Sequence, residues 1–152
     1  MRPQDFSSFT LSRHELRLEA RQSVSLPILP TRIRVDGDLQ ASLSFELLIR
    51  NLLRHVSLLI AMYVESRLDL DYRGLIVRAM SFRIHQASLS WHDWQRCSNR
   101  QDTKMKLGGF IGEIEYRGDA IAEHLPLLVA GEVLHVGTGT SFGLGKYHKE
   151  TQ

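Results

Sequence analysis

The chain has 152 residues, 43% apolar and 24% charged, enough for one domain with a hydrophobic core. No run of eighteen apolar residues offers a membrane span, and the opening MRPQDFSSFTLSRHE lacks the apolar centre of a signal peptide, so the chain reads as cytoplasmic. Cys97, the single cysteine, excludes an internal disulfide and a CxxC zinc site, while a net charge of +2 neither demands nor forbids a polyanionic partner.

Residues 1–20 are polar and without periodicity, so 1–21 is read as a leader or linker remnant and 22–152 as the folded domain. Val24 to Val35 reads as extended, with Pro27 and Pro30 excluding helix. Within it Thr31, Ile33 and Val35 alternate with Arg32 and Arg34, which predicts a strand with one basic face. Asp36-Gly37-Asp38 supplies a turn. Phe45, Ile49, Leu52, Val56, Leu59, Ile60 and Tyr63 then recur at helical spacing, with Ser44 as N-cap and Glu46 in the first turn. Arg50, Asn51 and Arg54 take the opposite side of that helix.

After Gly74 the period changes to two: Ile76, Met80, Phe82 and Ile84 share one parity, Ser81, Arg83 and His85 the other. Leu89 and Trp91 reverse this parity, which predicts a bulge or break near Gln86–Ser88. A polar stretch from Ser98 to Lys106 precedes a strand over Phe110–Tyr116, closed by Gly118-Asp119. Leu127, Ala130, Gly131 and Leu134 predict a second, shorter helix with Pro126 at its first position. A glycine-rich loop and a short strand through Tyr147 end the chain. Strand, helix, strand, strand, helix, strand points to an α+β, ferredoxin-like antiparallel sheet with two helices on one face and the glycine-rich loop before the last strand.

That loop, His135-Val136-Gly137-Thr138-Gly139-Thr140-Ser141-Phe142-Gly143-Leu144-Gly145-Lys146-Tyr147, is open to two readings. Its main-chain amides could cradle phosphate oxygens, helped by Thr140, Ser141 and Lys146; or its glycines could simply let a helix pack onto a strand. A P-loop is excluded because Thr140 and Tyr147 fill its first and last slots. The dinucleotide fingerprint fails because Phe142 stands at its third glycine.

The tail resembles the glycine-rich motif near the carboxy terminus of CRISPR repeat-processing endoribonucleases of the RAMP superfamily. Trp91-His92-Asp93-Trp94, Ser98-Asn99-Arg100-Gln101 and Lys104-Met105-Lys106-Leu107-Gly108-Gly109-Phe110-Ile111-Gly112-Glu113 resemble the same family, as does the run from Leu29 to Tyr63. The resemblance covers roughly residues 22 to 149 in the family's own order. Members usually carry two ferredoxin-like domains with the catalytic histidine in the first, and this sequence matches the second. The resemblance therefore implies the RNA-binding carboxy-terminal half of an enzyme that matures guide RNA. Its partners would be CRISPR repeat RNA and an amino-terminal domain or other CRISPR-associated subunits. A non-catalytic RAMP subunit that binds guide RNA in an effector complex is the alternative.

The implied reaction needs neither metal nor cofactor: a ribose 2′-hydroxyl attacks the adjacent phosphate, leaving a cyclic phosphate and a 5′-hydroxyl. It calls for a base, an acid and cations around the phosphorane. His135, just ahead of the glycine loop, is the candidate catalytic group; the competing reading is a histidine capping the short helix. His92, between two tryptophans, is a weaker candidate, and His55 reads as structural. Arg96, Arg100, Lys104 and Lys106 face only Asp102 in their segment, a local excess of three positive charges. Arg100, Lys104 and Lys106, with Gly137, Gly139, Thr140, Ser141, Gly143, Gly145 and Lys146, form the candidate RNA-binding set. A solvated hairpin tip would account for the cations equally well.

Overall fold

Val24, Leu26 and Ile28 alternate with Ser25 and Pro27 along the first strand, β1 (Ser23–Thr31), and the three aliphatic side chains are buried. The computed structural model describes residues 23–40, 42–64, 69–98 and 103–151, giving only the backbone path for 94–98, 103–107, 142 and 151. The leader expected over 1–21 lies outside them. Pro27 and Pro30 bring no N–H to the ladder. Their carbonyls instead accept from His148 N–H at 3.2 Å and Gly145 N–H at 2.8 Å.

Beyond Thr31 the chain forms a small hairpin, β2 (Arg34–Val35) and β3 (Asp38–Leu39), rather than one strand continuing to Val35. Asp36 and Gly37 both have positive φ, 51° and 91°, as a tight two-residue hairpin turn requires. Helix α1 (Phe45–Tyr63) begins where the sequence places it. Ser44 Oγ accepts from Leu47 N–H at 3.2 Å, and Glu46 pairs with Arg50 at 2.6 Å.

A second helix, α2 (Tyr72–Ala79), replaces the start of the strand expected after Gly74, so the described residues form three helices where two were expected. Asp71 caps it through Gly74 N–H at 3.0 Å, and Arg78 ties it to Glu123 and Asp71. Ile76 and Met80, four residues apart, fit a helical spacing as well as an alternating one, and the cap decides between them. Strand β4 (Arg83–Ser98) follows, then β5 (Thr103–Arg117), α3 (Ile121–Leu134) and β6 (Glu150–Thr151). The bulge lies between Ile84 and Gln86, just ahead of its expected place, and it accounts for the parity change at Leu89 and Trp91. Pro126 sits inside α3 rather than at its first position. It is tolerated on an exposed face, at the loss of one helical hydrogen bond.

The four-stranded sheet has the order β4-β5-β1-β6, every described pairing antiparallel, as a ferredoxin-like sheet requires. Helices cover the face carrying Val24, Leu26, Ile28, Ile114 and Tyr116; Ser25, Gln86, Ser88, Glu113 and Glu115 line a polar cleft on the sheet. Helices α1 and α3 run side by side in one direction. Phe45 meets His124, Leu52 faces Gly131, and His55 reaches the carbonyl of His135. Because α3 ends opposite His55, the last turns of α1 outrun it, and Leu58, Leu59, Met62 and Tyr63 are exposed. The apolar stripe read from the sequence is thus buried only in its first half.

His124, fully buried, links α2 to α3: one ring nitrogen lies 2.8 Å from the Ala120 carbonyl and the other 2.9 Å from that of Leu75. Two tyrosines fasten the remaining layers. Tyr116 donates to the Leu43 carbonyl at 2.7 Å, and Tyr147 to that of Leu128 at 2.6 Å. Burial pushes both phenols well above the ordinary tyrosine range, and Glu132 adds to the shift at Tyr147. Groups raised in the folded state contribute stability that is complete below the unfolded pKa of about 10 and declines as pH rises beyond it. Unfolding midpoints are therefore expected to fall from about pH 10 upward. Tyr147→Phe should flatten part of that decline in a denaturant titration repeated across the alkaline range.

Candidate nucleic-acid interface

The glycine-rich segment leaves α3 at His135 and returns along the far end of β1. Thr138 N–H donates to the Arg32 carbonyl at 2.7 Å, Gly145 N–H to Pro30 at 2.8 Å, and Leu29 N–H to the Lys146 carbonyl at 2.9 Å. Val136 N–H closes the loop on the Gly145 carbonyl at 2.9 Å. Gly137 and Gly145 are buried with φ of 84° and 76°; a β-carbon on the first would overlap the Arg32 carbonyl, and on the second that of Val136. Gly139 and Gly143, also left-handed, flank a single 3-10 turn over Thr140–Phe142. The glycines therefore serve close backbone approach first. What the loop offers outward is Thr138, Ser141, Gly143 and Lys146, all exposed, with Gly139 and Thr140 half-buried behind them.

His135 is the C-cap of α3, with φ 63° and ψ 167°, a conformation rarely adopted outside glycine. Its Nδ1 lies 3.1 Å from the Leu144 carbonyl, and its own carbonyl lies 2.9 Å from His55 Nδ1. Carbonyl oxygens only accept, so each imidazole donates through Nδ1 and keeps Nε2 as the other ring atom. His135 therefore braces the loop across its width, and His55, read as structural from the sequence, holds the brace. Replacing His135 by alanine is expected to cost about 1–3 kcal/mol, from the lost bond to the Leu144 carbonyl. His135→Gly, which relieves the backbone, should cost less than alanine in chemical denaturation.

In the polar stretch expected over Ser98 to Lys106, residues 99–102 lie outside the described residues, and Ser98 and Thr103 to Lys106 continue the two strands. β4 and β5 pair from Arg83↔Arg117 out to Ser98↔Thr103, whereas β1 accompanies β5 only as far as Thr31↔Phe110. A two-stranded ribbon therefore runs on past the sheet. At its root Trp91 meets Phe110 edge-on with ring centroids 5.3 Å apart, and its indole N–H donates to Asp93 at 2.7 Å. The ring lies over Gly108, where a β-carbon would come within 2.6 Å of it. Trp91 thus belongs to the ribbon's packing. Lys106 pairs with Gln95 and Lys104 with Cys97, placing both lysines on one ribbon face. They lie about 10 and 17 Å beyond Gly109 at the usual rise per residue. Arg100 falls outside the described residues.

Ribbon, loop and the β2–β3 hairpin all leave the sheet at the end where β1 finishes. Arg34, Lys146, Lys104 and Lys106 are consequently carried on neighbouring elements. The polar cleft on the sheet has the opposite character, with Ser25 donating to Glu113 at 2.5 Å and Glu115 close by. Among the described residues no three His, Cys, Asp or Glu side chains come together to hold a metal.

The family model described as CRISPR-associated endoribonuclease Cas6 matches residues 28–147. This chain belongs to the Cas6 family. Solved structures show the same fold. Cas6 of Thermus thermophilus superimposes with a TM-score of 0.63 at 19% identity, covering 92% of this chain and 58% of that one. A Cas6 product complex gives 0.64 at 17% identity, covering 93% and 56%. A partial Cas6-RT-Cas1–Cas2 complex gives 0.62 at 17% identity, covering 88% and 23%. No curated protein matches. The chain thus spans little more than half of the solved Cas6 chains, and its Cas6-family match begins inside β1 and ends at Tyr147. Among the described residues no helix is long and apolar enough to cross a membrane.

Proposed function

We propose that this chain is the RNA-binding, carboxy-terminal half of a Cas6 endoribonuclease that cuts CRISPR repeat RNA. The observation that carries this reading is the convergence of the ribbon bearing Lys104 and Lys106 with the glycine loop bearing Ser141 and Lys146 at one end of the sheet. Cations on an extended ribbon suit a phosphodiester backbone, and a loop of small residues lets that backbone approach closely. Arg100, which lies between Ser98 and Thr103 in sequence, belongs to the same proposed RNA-binding set. Gly137, Gly139, Gly143 and Gly145 give the loop its shape; Thr140, Ser141 and Lys146 supply its polar contacts.

Cleavage in this reading is metal-independent attack by a 2′-hydroxyl, with the acid and base supplied by an amino-terminal domain and the cations by this half. His135 acts as a positioning residue for the loop. Its Nδ1 is held by the Leu144 carbonyl, so Nε2 is the ring atom through which His135 itself could exchange a proton with substrate. The solved relatives include a Cas6 product complex and a Cas6-RT-Cas1–Cas2 complex, which supports repeat RNA and further CRISPR-associated subunits as partners.

Labelled repeat RNA incubated with the chain in EDTA tests the reading. Binding that weakens steeply with salt is expected, with little cleavage. Absence of binding at low salt would sink the proposal. Clean single-site cleavage would overturn the division of labour, and His135→Ala would then show whether this histidine takes part.

A further inference from the structure

The opposite end of the sheet carries a second cationic cluster that the reading above leaves unused. Arg83 and Arg117 are direct cross-strand partners and are both exposed. Like charges in that relation destabilise a sheet. Arg117 is partly compensated by Glu115 at 3.2 Å, whereas Arg83 has no ion pair or side-chain hydrogen bond among the described residues. The two arginines line a cleft of about 410 Å³ together with Ser81, Ile84, His85, Gly118 and Asp119. His85 is the extra residue of the β4 bulge, and bulges commonly re-aim a side chain toward a site. Asp119 is the one carboxylate in the lining.

We propose that this cleft binds a phosphate, and that the phosphate belongs to a stretch of RNA beyond the part held by loop and ribbon. Two guanidinium groups present planar forks of N–H donors that match phosphate oxygens, and an intervening anion would turn their mutual repulsion into attraction. Between Ser23, which pairs with Arg117, and Thr31, beside the glycine loop, β1 spans about 26 Å. A short RNA would not bridge that distance, and Glu113 and Glu115 on the intervening face disfavour a continuous track. The RNA assignment rests on the function proposed above; the phosphate assignment does not.

Two arms separate them. Amide resonances of the full chain are followed while inorganic phosphate is added, comparing the natural sequence with the double variant Arg83→Gln/Arg117→Gln. Saturable shifts at Arg83, His85, Arg117 and Gly118 that vanish in the variant are expected. No shifts, or equal shifts in both proteins, would overturn the site. In the second arm, a short RNA sized for loop and ribbon is compared with one extended on either side. The variant should bind the short RNA unchanged and the long one about tenfold more weakly, with a shallower salt dependence. If the long RNA binds both proteins alike while phosphate still discriminates them, the RNA assignment falls and the ligand is a free phosphorylated molecule. If neither RNA binds the natural chain, the proposed function fails, and the phosphate arm still decides the cleft. The variant's melting temperature should be equal or higher, since it loses a like-charged pair; a large fall would mean the arginines serve the fold, against the proposal.

Discussion

Replacing Gly145 with alanine is expected to destabilise the chain by about 2–5 kcal/mol and to weaken RNA binding with it. Two penalties combine. Its φ of 76° is left-handed, and its would-be β-carbon overlaps the Val136 carbonyl, which belongs to main chain and has no rotamer to escape into. The same residue donates to Pro30 of β1 at 2.8 Å and accepts from Val136 at 2.9 Å, so displacing it breaks one contact with β1 and the bond that closes the loop on itself. Gly143 is the internal control. Its φ of 81° is similar, but it is exposed and nothing lies within 4 Å of its would-be β-carbon. Gly143→Ala should cost only about 1 kcal/mol and leave the loop seated. Denaturant titration of the two variants separates the effects, and equal losses would mean that crowding against Val136 is not what the glycine avoids.

Removing both ribbon lysines should leave RNA bound about 10- to 100-fold more weakly, with the slope of log K against log salt reduced by about 2. Pairing places Lys104 and Lys106 on one face of a ribbon that extends past β1. Each lysine that contacts a phosphate releases a counterion, so lost affinity and lost salt sensitivity must appear together. Measuring anisotropy of labelled repeat RNA over a range of salt concentrations for Lys104→Ala/Lys106→Ala decides the point. Unchanged affinity and slope would take the ribbon out of the interface. A weaker complex with an unchanged slope would implicate the ribbon's shape rather than its charge.

Local chemistry made much of the fold legible. Ser44, Glu46 and the helical spacing from Phe45 to Leu52 mark α1; Asp36-Gly37 marks a turn; the parity change at Leu89 marks the β4 bulge. Each signal acts within a few residues, so no distant partner is needed to read it. Helix α2 is not legible in the sequence because eight residues carry too few turns for one periodicity to exclude the other, and the Asp71 cap that settles it is a single hydrogen bond. The ribbon looks like a polar interruption in the sequence because two strands that continue past the sheet show no apolar alternation. His124 gave no signal at all: its role rests on a carbonyl of α2, far away in sequence.

The glycines before Tyr147 were plain in the sequence, but their division of labour was not. Sequence alone determined that backbone freedom is concentrated there, that cations cluster near Lys104 and Lys106, and that strands and helices alternate in a ferredoxin-like order. Tertiary structure decided that Gly137 and Gly145 seat the loop on β1, that His55 and His135 brace it, and that Arg83 and Arg117 face each other at the sheet's other end. The physical reason is range. Propensity, capping and turn chemistry act between neighbours in the chain, whereas close approach and charge juxtaposition depend on strand register, which is settled only when the sheet and its helical layer assemble.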